Sequence, residues 1–240
     1  MNFFKHTITF VILLIGVNAT AQRGSAKFGM QYKPIIPNSI IGFYEQEFNN
    51  GVFESTVKQK FGNSFSMLIN VGLSDRLALE TGIGFTQRNF NLDYAVPDSG
   101  YTATGDVRVV SYEIPLNLMV FIRLSDEVYM NTSLGPAMTF FPSDVQTFIP
   151  IDANERFQQE GAYRSKIQGA LNANVGFEYR TKKSGTFYLG GSYHLPFTPI
   201  MTFAMSYEYS TNANILAIDN IRGSYLTVDL RYYFNENKDK

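Results

Sequence analysis

The chain has no cysteine and no tryptophan among its 240 residues, and it has only two histidines. The missing cysteine excludes disulfide bonds, cysteine-ligated zinc, thiol catalysis and acylation as a lipoprotein. Charged residues make up 17% of the chain and the formal net charge is −1, so a basic surface for nucleic acid is not expected. Beyond the N-terminus, no segment approaches the roughly 18 uninterrupted apolar residues of a helical membrane span.

The N-terminus has the pattern of a secretory signal peptide. Lys5 gives a positive start, residues 8–17 form an apolar core, and Ala19-Thr20-Ala21 fits the small-residue cleavage site. A core of about ten residues is too short for a membrane-spanning helix, which needs about 20. We therefore predict that residues 1–21 are a cleaved signal peptide, that 22–234 form one β-barrel domain, and that 235–240 are a short polar tail.

The rest of the sequence alternates apolar and polar residues with the period of β-strands. In residues 223–234, for example, Leu226 and Leu230 alternate with Asp229 and Arg231. About eight such segments are joined alternately by short turns, at 74–76, 125–127 and 181–185, and by longer polar links. Pro115 falls inside one of these segments, where we expect a β-bulge. This rhythm predicts an all-β fold, an eight-stranded antiparallel transmembrane β-barrel of the outer-membrane type with short periplasmic turns and long extracellular loops.

Alternation alone does not fix which face points outward, because a soluble lipocalin-like barrel has the same period with its apolar side chains inside. Here the apolar faces are bulky and almost uncharged over the length that crosses a bilayer, whereas the polar faces are rich in Gly, Ser, Asn and Thr. The 17% charge of the chain is also below the roughly 25–35% of a typical soluble surface. We therefore predict that the apolar faces contact lipid in the outer membrane of a Gram-negative bacterium, with both termini periplasmic.

The longer links are expected to be extracellular loops, at 35–60, 91–106, 143–163 and 210–221. Loops of this length in a compact protein usually carry function or are disordered. We therefore expect these links to carry the function of the protein.

The charged residues on the predicted inner faces are four acidic and four basic side chains. Isolated charges are costly to bury, so those inside a narrow barrel must pair, and we expect a structural plug of salt bridges rather than an ion path. The predicted lumen network consists of Glu80, Arg88, Glu113, Arg123, Glu178, Arg180, Asp229 and Arg231.

Aromatic residues cluster beside the short turns and near the end of the chain. Membrane barrels place aromatic rings at the lipid–water interface, so we predict an aromatic girdle at this rim. Its predicted members are Tyr129, Tyr179, Phe187, Tyr188, Tyr232, Tyr233 and Phe234.

No catalytic, metal or cofactor site is predicted. His194 is the single histidine outside the signal peptide, and it shares a strand face with Ser192, as a lipid-modifying barrel enzyme would require. A hydrogen-bonded interior histidine is the simpler interpretation, because no nucleophile motif accompanies the pair. Gly82-Ile83-Gly84 lacks the strand-to-helix context of a nucleotide loop, so no nucleotide partner is expected either.

Three segments carry a resemblance to a known family. Residues Tyr112-Glu113-Ile114-Pro115-Leu116 look like the Y-x-E-I-P-L strand of small outer-membrane barrels of Bacteroidota, the PorT-like or "porin family" group. The closing segment 225–234 and the cleavage region Thr20-Ala21-Gln22 are similar as well. The resemblance implies a small barrel and supplies no catalytic residues, and one branch of the family takes part in type IX protein secretion.

Together these features predict a non-enzymatic outer-membrane barrel with a filled lumen. Its expected role is structural, adhesive or accessory to secretion, exerted through the long loops. Outer-membrane lipid and other envelope or secretion proteins are the expected partners. The alternatives are a lipid-modifying enzyme that uses His194 and a soluble periplasmic lipocalin-like carrier.

Overall fold

The computed structural model describes residues 26–37, 44–49, 51–151, 155–209 and 214–235. The predicted signal peptide lies outside the described residues, as does the polar tail after Asn235. The described residues contain thirteen β-strands: β1 (Ala26–Ile36), β2 (Glu45–Asn49), β3 (Glu54–Gly72), β4 (Leu77–Val96), β5 (Tyr101–Arg123), β6 (Val128–Phe140), β7 (Val145–Pro150), β8 (Glu155–Ala162), β9 (Ile167–Arg180), β10 (Thr186–Pro196), β11 (Met201–Tyr209), β12 (Asn214–Ile221) and β13 (Tyr225–Tyr233).

Within this part of the chain, eight strands close an antiparallel ring. The order is β1, β13, β10, β9, β6, β5, β4, β3 and back to β1. On one side of β1, Gly29 lies opposite Tyr233, and on the other side Ala26 lies opposite Val71. The fold is therefore an all-β barrel, closed by pairing of its first and last described strands with β1 at the seam.

Three tight turns connect neighbouring strands at one rim, where β1 begins and β13 ends. In the first two turns a serine closes the turn, because Ser74 Oγ accepts from Leu77 N at 3.1 Å and Ser125 Oγ accepts from Val128 N at 3.1 Å. The third turn uses Gly185, whose φ of +85° is readily adopted only by glycine. We refer to this end of the barrel as the short-turn rim.

The outward face of β5 is apolar along one part of the strand and polar along another. From Tyr112 to Ile122 the outward residues are apolar and exposed, whereas Glu113 and Asn117 point inward and are buried. Closer to the start of the strand, Val109 points inward and is buried while Arg108 points outward. The outward apolar segment spans roughly 25 Å in height at the usual strand rise and tilt, which is the height of the lipid-facing band in membrane barrels.

The long links predicted as loops are mostly strands. Residues 91–106 extend the β4–β5 hairpin, while β7 and β8 form within 143–163. β12 occupies most of 210–221, and the 35–60 link contains β2 and the start of β3. The prediction of loops was wrong here because their outward polar residues, such as Asn91 and Asp93, were given more weight than the buried apolar residues between them.

These strands form a cap on the barrel end opposite the short-turn rim. A separate four-stranded sheet, in the order β12, β11, β8 and β7, packs over the extended parts of β3, β4 and β5, with β2 at their edge. Phe157 is fully buried between the sheets, with ring centroids 4.8 Å from Tyr94 and 5.3 Å from Tyr207. The cap therefore has an apolar core of its own, whereas the barrel below it is mostly polar inside, apart from a small cluster of Ala78, Met119 and Phe121.

Pro115 does not produce the expected bulge. The pairing of β5 with β4 and with β6 keeps the same register on both sides of this residue. A shift occurs instead between Lys60 and Asn63 of β3, near the upper edge of the apolar band. Pro115 has no N–H to donate to the ladder, but Thr81 Oγ1 donates to the Pro115 carbonyl at 2.8 Å.

The described residues include no helix that is long and apolar enough to cross a membrane.

Candidate functional site

A cluster of buried charges occupies the centre of the barrel lumen. Arg231 donates to both carboxylate oxygens of Glu80 at 3.2 Å and to Asp229 at 3.1 Å. The three side chains are at most 3% exposed. The strands place them together because Glu80 points inward from β4, while Asp229 and Arg231 share the inner face of β13. A buried guanidinium shared between two carboxylates stabilises both, although each ion loses hydration.

Asp229 is the acceptor on which the polar lumen converges. Besides Arg231, it accepts hydrogen bonds from Gln31 at 3.1 Å and Asn174 at 3.0 Å. The hydroxyls of Ser192 and Thr227 also donate to it. These donors come from β1, β9, β10 and β13, so one carboxylate joins four strands through the lumen.

A second acidic group, Glu113, lies nearer the cap. Its carboxylate accepts from Asn172 at 2.7 Å and lies 3.4 Å from Nδ1 of His194. The His194 ring stacks on Tyr225 with centroids 4.7 Å apart. Lys33 lines the same part of the lumen and was not predicted, because the alternating pattern around it is short and is interrupted by Pro34. The fourth basic residue inside the lumen is therefore Lys33, whereas the sequence analysis predicted Arg123.

Little space remains between these groups. At the level of Glu80, Glu113 and Arg231 the lumen contains a cavity of only about 20 Å³. A water-sized ligand needs a cavity of roughly 10–15 Å³ by this measure. Side chains therefore fill the central lumen except for a space the size of about one water molecule.

The lumen widens at the short-turn rim into a mouth of about 840 Å³. Arg180 forms a 2.9 Å ion pair with Glu178, and its guanidinium lies 3.8 Å from the Tyr129 ring centroid. Arg123 also lines this mouth, but its side chain is 61% exposed and pairs with Asp126 of the adjacent turn. Its assignment to the lumen network was wrong, because β5 ends at Arg123 and the barrel wall no longer encloses it.

The predicted aromatic girdle was wrong for three of its seven residues, which lie on the inner face of the barrel. Tyr179, Phe187, Tyr232 and Phe234 lie on the outer surface, and the last three form a chain of ring contacts. Tyr129, Tyr188 and Tyr233 instead lie on the inner face, where the Tyr188 hydroxyl donates to Asn174 and that of Tyr233 donates to Glu80.

Glycines make this inward arrangement possible. A Cβ at Gly190 would lie 2.1 Å from the Tyr188 hydroxyl, and one at Gly176 would lie 2.4 Å from it. A Cβ at Gly29 would likewise lie 2.6 Å from the Tyr233 ring. The absence of a side chain at these positions leaves room for tyrosine rings against the inner wall, as in the covering of strand glycines by aromatic rings. The sequence signal was the inward phase of Tyr188 and Gly190, two residues apart on β10.

His194 and Ser192 do not form a catalytic pair in this structure. The Ser192 hydroxyl donates to Asp229, whereas His194 Nδ1 is 2.7 Å from Asn172 Oδ1 and close to Glu113. Both side chains point into the filled lumen and His194 is buried. Their hydrogen bonds fit the interior-residue interpretation given by the sequence. Among the described residues there is also no group of three or more His, Cys, Asp or Glu side chains arranged to hold a metal ion.

Two cap tyrosines are held in low-polarity surroundings. Burial raises the pKa of Tyr94, which lies in the cap core. Burial, reinforced by the Asp144 carboxylate, also raises the pKa of Tyr163. Both phenols are therefore neutral throughout the physiological pH range.

Arg88 differs from Arg180 and Arg231, which form ion pairs in the lumen and its mouth. It lies on β4 at the level where the polar lumen meets the apolar core of the cap, and it is 3% exposed. No Asp or Glu of the described chain lies within ion-pair distance of it, and its guanidinium lies 5.1 Å from the Phe90 ring centroid and 5.0 Å from that of Tyr225. The expectation that every lumen charge is paired was therefore wrong for Arg88.

Comparisons with known proteins identify distant structural likenesses. The crystal structure of the outer membrane protease OmpT from Escherichia coli is 11% identical, covers 88% of this chain and 94% of its own, and gives a TM-score of 0.40. An outer membrane channel from Pseudomonas putida F1 is 12% identical, covers 90% and 97%, and gives a TM-score of 0.28. No family model and no curated protein matches the chain. At these TM-scores the likenesses assign neither a family nor an activity.

Proposed function

We propose that this protein is a non-enzymatic, eight-stranded outer-membrane barrel with a structurally filled lumen, and that its cap carries its biological role. The observation that supports this most strongly is the exchange of faces along β5. Apolar residues point outward from Tyr112 to Ile122, whereas above that band Val109 and Val107 point inward and Arg108 points outward. A barrel surrounded by water throughout would keep its apolar residues inside along the whole strand.

The outward band argues against the soluble-carrier alternative for the same reason. Leu116 and Leu118, at its centre, are 48% and 46% exposed, and Leu118 lies between Leu79 of β4 and Leu134 of β6. Contiguous apolar surface of this extent requires a partner, and lipid is the partner that surrounds a closed barrel on every side.

Two measurements test the membrane barrel and its plug. A detergent-extracted outer-membrane fraction is expected to contain a band that migrates faster before heating than after it. In planar bilayers the purified protein is expected to conduct far less than large porins, because aqueous channels open at about 16 strands. Recovery in the soluble fraction would contradict the membrane assignment, and porin-like conductance would contradict the filled lumen.

The role that we propose for the cap is structural, adhesive or accessory to secretion. The cap presents a folded, mixed surface to the outside, in which Phe148 of β7 is 50% exposed beneath the Arg156 guanidinium. A photo-crosslinker at Phe148 in intact cells is expected to capture an envelope or extracellular partner. Asp126 on the short-turn rim is the matched control position. Capture only from Asp126 would place the active surface on the other side of the membrane.

The enzymatic alternative depends on His194. Because its imidazole is engaged with Asn172 and Glu113 inside the lumen, we propose that it positions the strands rather than catalysing a reaction. A His194→Ala strain is expected to retain an unchanged lipid profile. Loss of a modified lipid species, with the barrel still folded, would overturn this assignment.

A further inference from the structure

Arg88 is a buried cation whose hydrogen-bonding capacity is only partly used. Its Nε and Nη2 atoms have no hydrogen-bond partner among the described residues. The rings of Phe90 and Tyr225 face the guanidinium, but aromatic faces offset only part of the cost of removing a charge from water. The guanidinium therefore lacks both a counter-charge and acceptors for two of its donor groups.

Arg88 lines a small cavity, and two further unpaired polar groups line the same cavity. Thr139 Oγ1 of β6 and Gln168 Oε1 of β9 are buried without a partner in the described chain, and both residues line this cavity together with Arg88. The amide of Gln168 is fixed in orientation, because its Nε2 donates to the carbonyls of Ile200 at 2.6 Å and Ser165 at 3.0 Å. Three buried side chains from three strands thus line one cavity, where Arg88 and Thr139 offer donors and Gln168 offers an acceptor oxygen.

The size of the cavity limits what can bind there. Its volume is about 10 Å³, which corresponds to one water-sized ligand. Phosphate, sulfate and carboxylates are too large. One water molecule fits this space, and a chloride ion, which is somewhat larger, fits after a small shift of the lining side chains.

We propose that this cavity is a binding site for one small monovalent anion of the halide class, with chloride as its natural ligand. Arg88 Nε and Nη2 and the Thr139 hydroxyl supply the donors. Glu113 lines the same cavity but is already engaged with Asn172 and His194. It therefore does not serve as the ion-pair partner of Arg88. A water molecule could accept the same hydrogen bonds, but only an anion offsets the buried positive charge.

The site joins the barrel to the cap. Arg88, Thr139 and Gln168 belong to barrel strands, whereas Phe141 and Ile200, which also line the cavity, belong to links that lead into the cap. Bound chloride is therefore expected to stabilise the junction between the two parts, and anything that binds only the folded state raises the melting temperature.

Crystals of the full-length mature protein soaked in bromide test the site directly. We expect an anomalous difference peak within hydrogen-bond distance of Arg88 Nε or Nη2. A peak at that position supports the proposal. Water-like density without anomalous signal, in crystals that show bromide elsewhere on the surface, would overturn it.

Thermal unfolding in detergent supplies an independent test. At constant ionic strength, exchanging gluconate for chloride is expected to raise the melting temperature of the wild-type protein by a few degrees. The Arg88→Met variant should lose this dependence, whereas the Arg180→Met variant, changed at the short-turn rim, should retain it. Equal chloride dependence in all three proteins, or none in the wild type, would show that Arg88 binds no anion.

Discussion

Removing Arg231 is the sharpest test of the lumen network. The Arg231→Met variant keeps an unbranched side chain of similar length but removes a guanidinium that donates to three carboxylate oxygens of Glu80 and Asp229. Two carboxylates that are at most 1% exposed then lose their charge partner. Breaking a buried ion pair in this way typically costs about 3–5 kcal/mol. We expect a loss of unfolding free energy in that range.

The structure also indicates where the cost falls. Asp229 keeps its bonds from Gln31, Asn174, Ser192 and Thr227. Glu80 keeps only the Tyr233 hydroxyl and a long, 3.5 Å contact from Asn117. In the Arg231→Met background, a Glu80→Gln change should therefore restore more stability than an Asp229→Asn change, because it removes the less compensated charge.

Urea unfolding of the protein in detergent, followed by far-UV circular dichroism and by the gel shift between folded and unfolded forms, measures these differences. Arg123→Met is the matched control, because Arg123 forms an exposed pair with Asp126 and its loss should cost less than about 1 kcal/mol. Equal effects of the two arginine substitutions would refute the account of the lumen as a stabilising plug. If Asp229→Asn restored more stability than Glu80→Gln, the inference that most of the lost unfolding free energy comes from Glu80 would be refuted.

Two further predictions concern packing in the barrel wall and in the cap. Gly190→Ala should destabilise the barrel by about 1–3 kcal/mol, because the new methyl would lie 2.1 Å from the Tyr188 hydroxyl. Gly191→Ala is the control: its Cβ would meet only a carbonyl oxygen at 3.4 Å, so the stability toward urea should change little. Phe157→Ala should cost the cap about 3–5 kcal/mol, because this ring is fully buried between Tyr94 and Tyr207. Limited proteolysis should then cut the cap while the barrel keeps its heat-dependent migration, and loss of both together would show that they fold as one unit.

The barrel was predictable from the sequence because each of its strands keeps one period-two pattern. In β5 the outward Ile114, Leu116 and Leu118 alternate with inward Glu113 and Asn117, and the structure keeps these faces. Such alternation is a local signal that depends only on neighbouring residues. Pairing order then follows from short turns, which join adjacent antiparallel strands.

The cap was missed because its strands carry the opposite pattern. Along β4, the inward phase that holds Glu80 and Arg88 continues to Phe90 and Leu92, so the same face becomes apolar while the outward face becomes polar. Without knowledge of the membrane boundary, this exchange resembles the end of a strand. A search for apolar residues that continue the inward phase beyond Arg88 would have found the cap.

The site residues that were misplaced depend on longer-range features. The inward phase of Tyr188 and Tyr233 is visible in the sequence, but part of the room for their rings comes from Gly176 and Gly29 on neighbouring strands, which only the register brings beside them. Arg123 has the correct phase for the lumen but lies beyond the last enclosed position of β5. The pairing of Arg231 with Glu80 joins residues from opposite ends of the chain, and single-sequence patterns do not specify it.

The central proposal is that the apolar band lies in lipid, with the cap outside the cell and the short-turn rim in the periplasm. The absence of cysteine makes single-cysteine labelling clean. With a water-soluble, membrane-impermeant maleimide, the Thr102→Cys variant in the cap should label in intact cells, the Asp126→Cys variant should label only after the outer membrane is opened, and the Leu116→Cys variant should stay unlabelled in both. Labelling of the Leu116→Cys variant as fast as the Thr102→Cys variant would contradict the central claim.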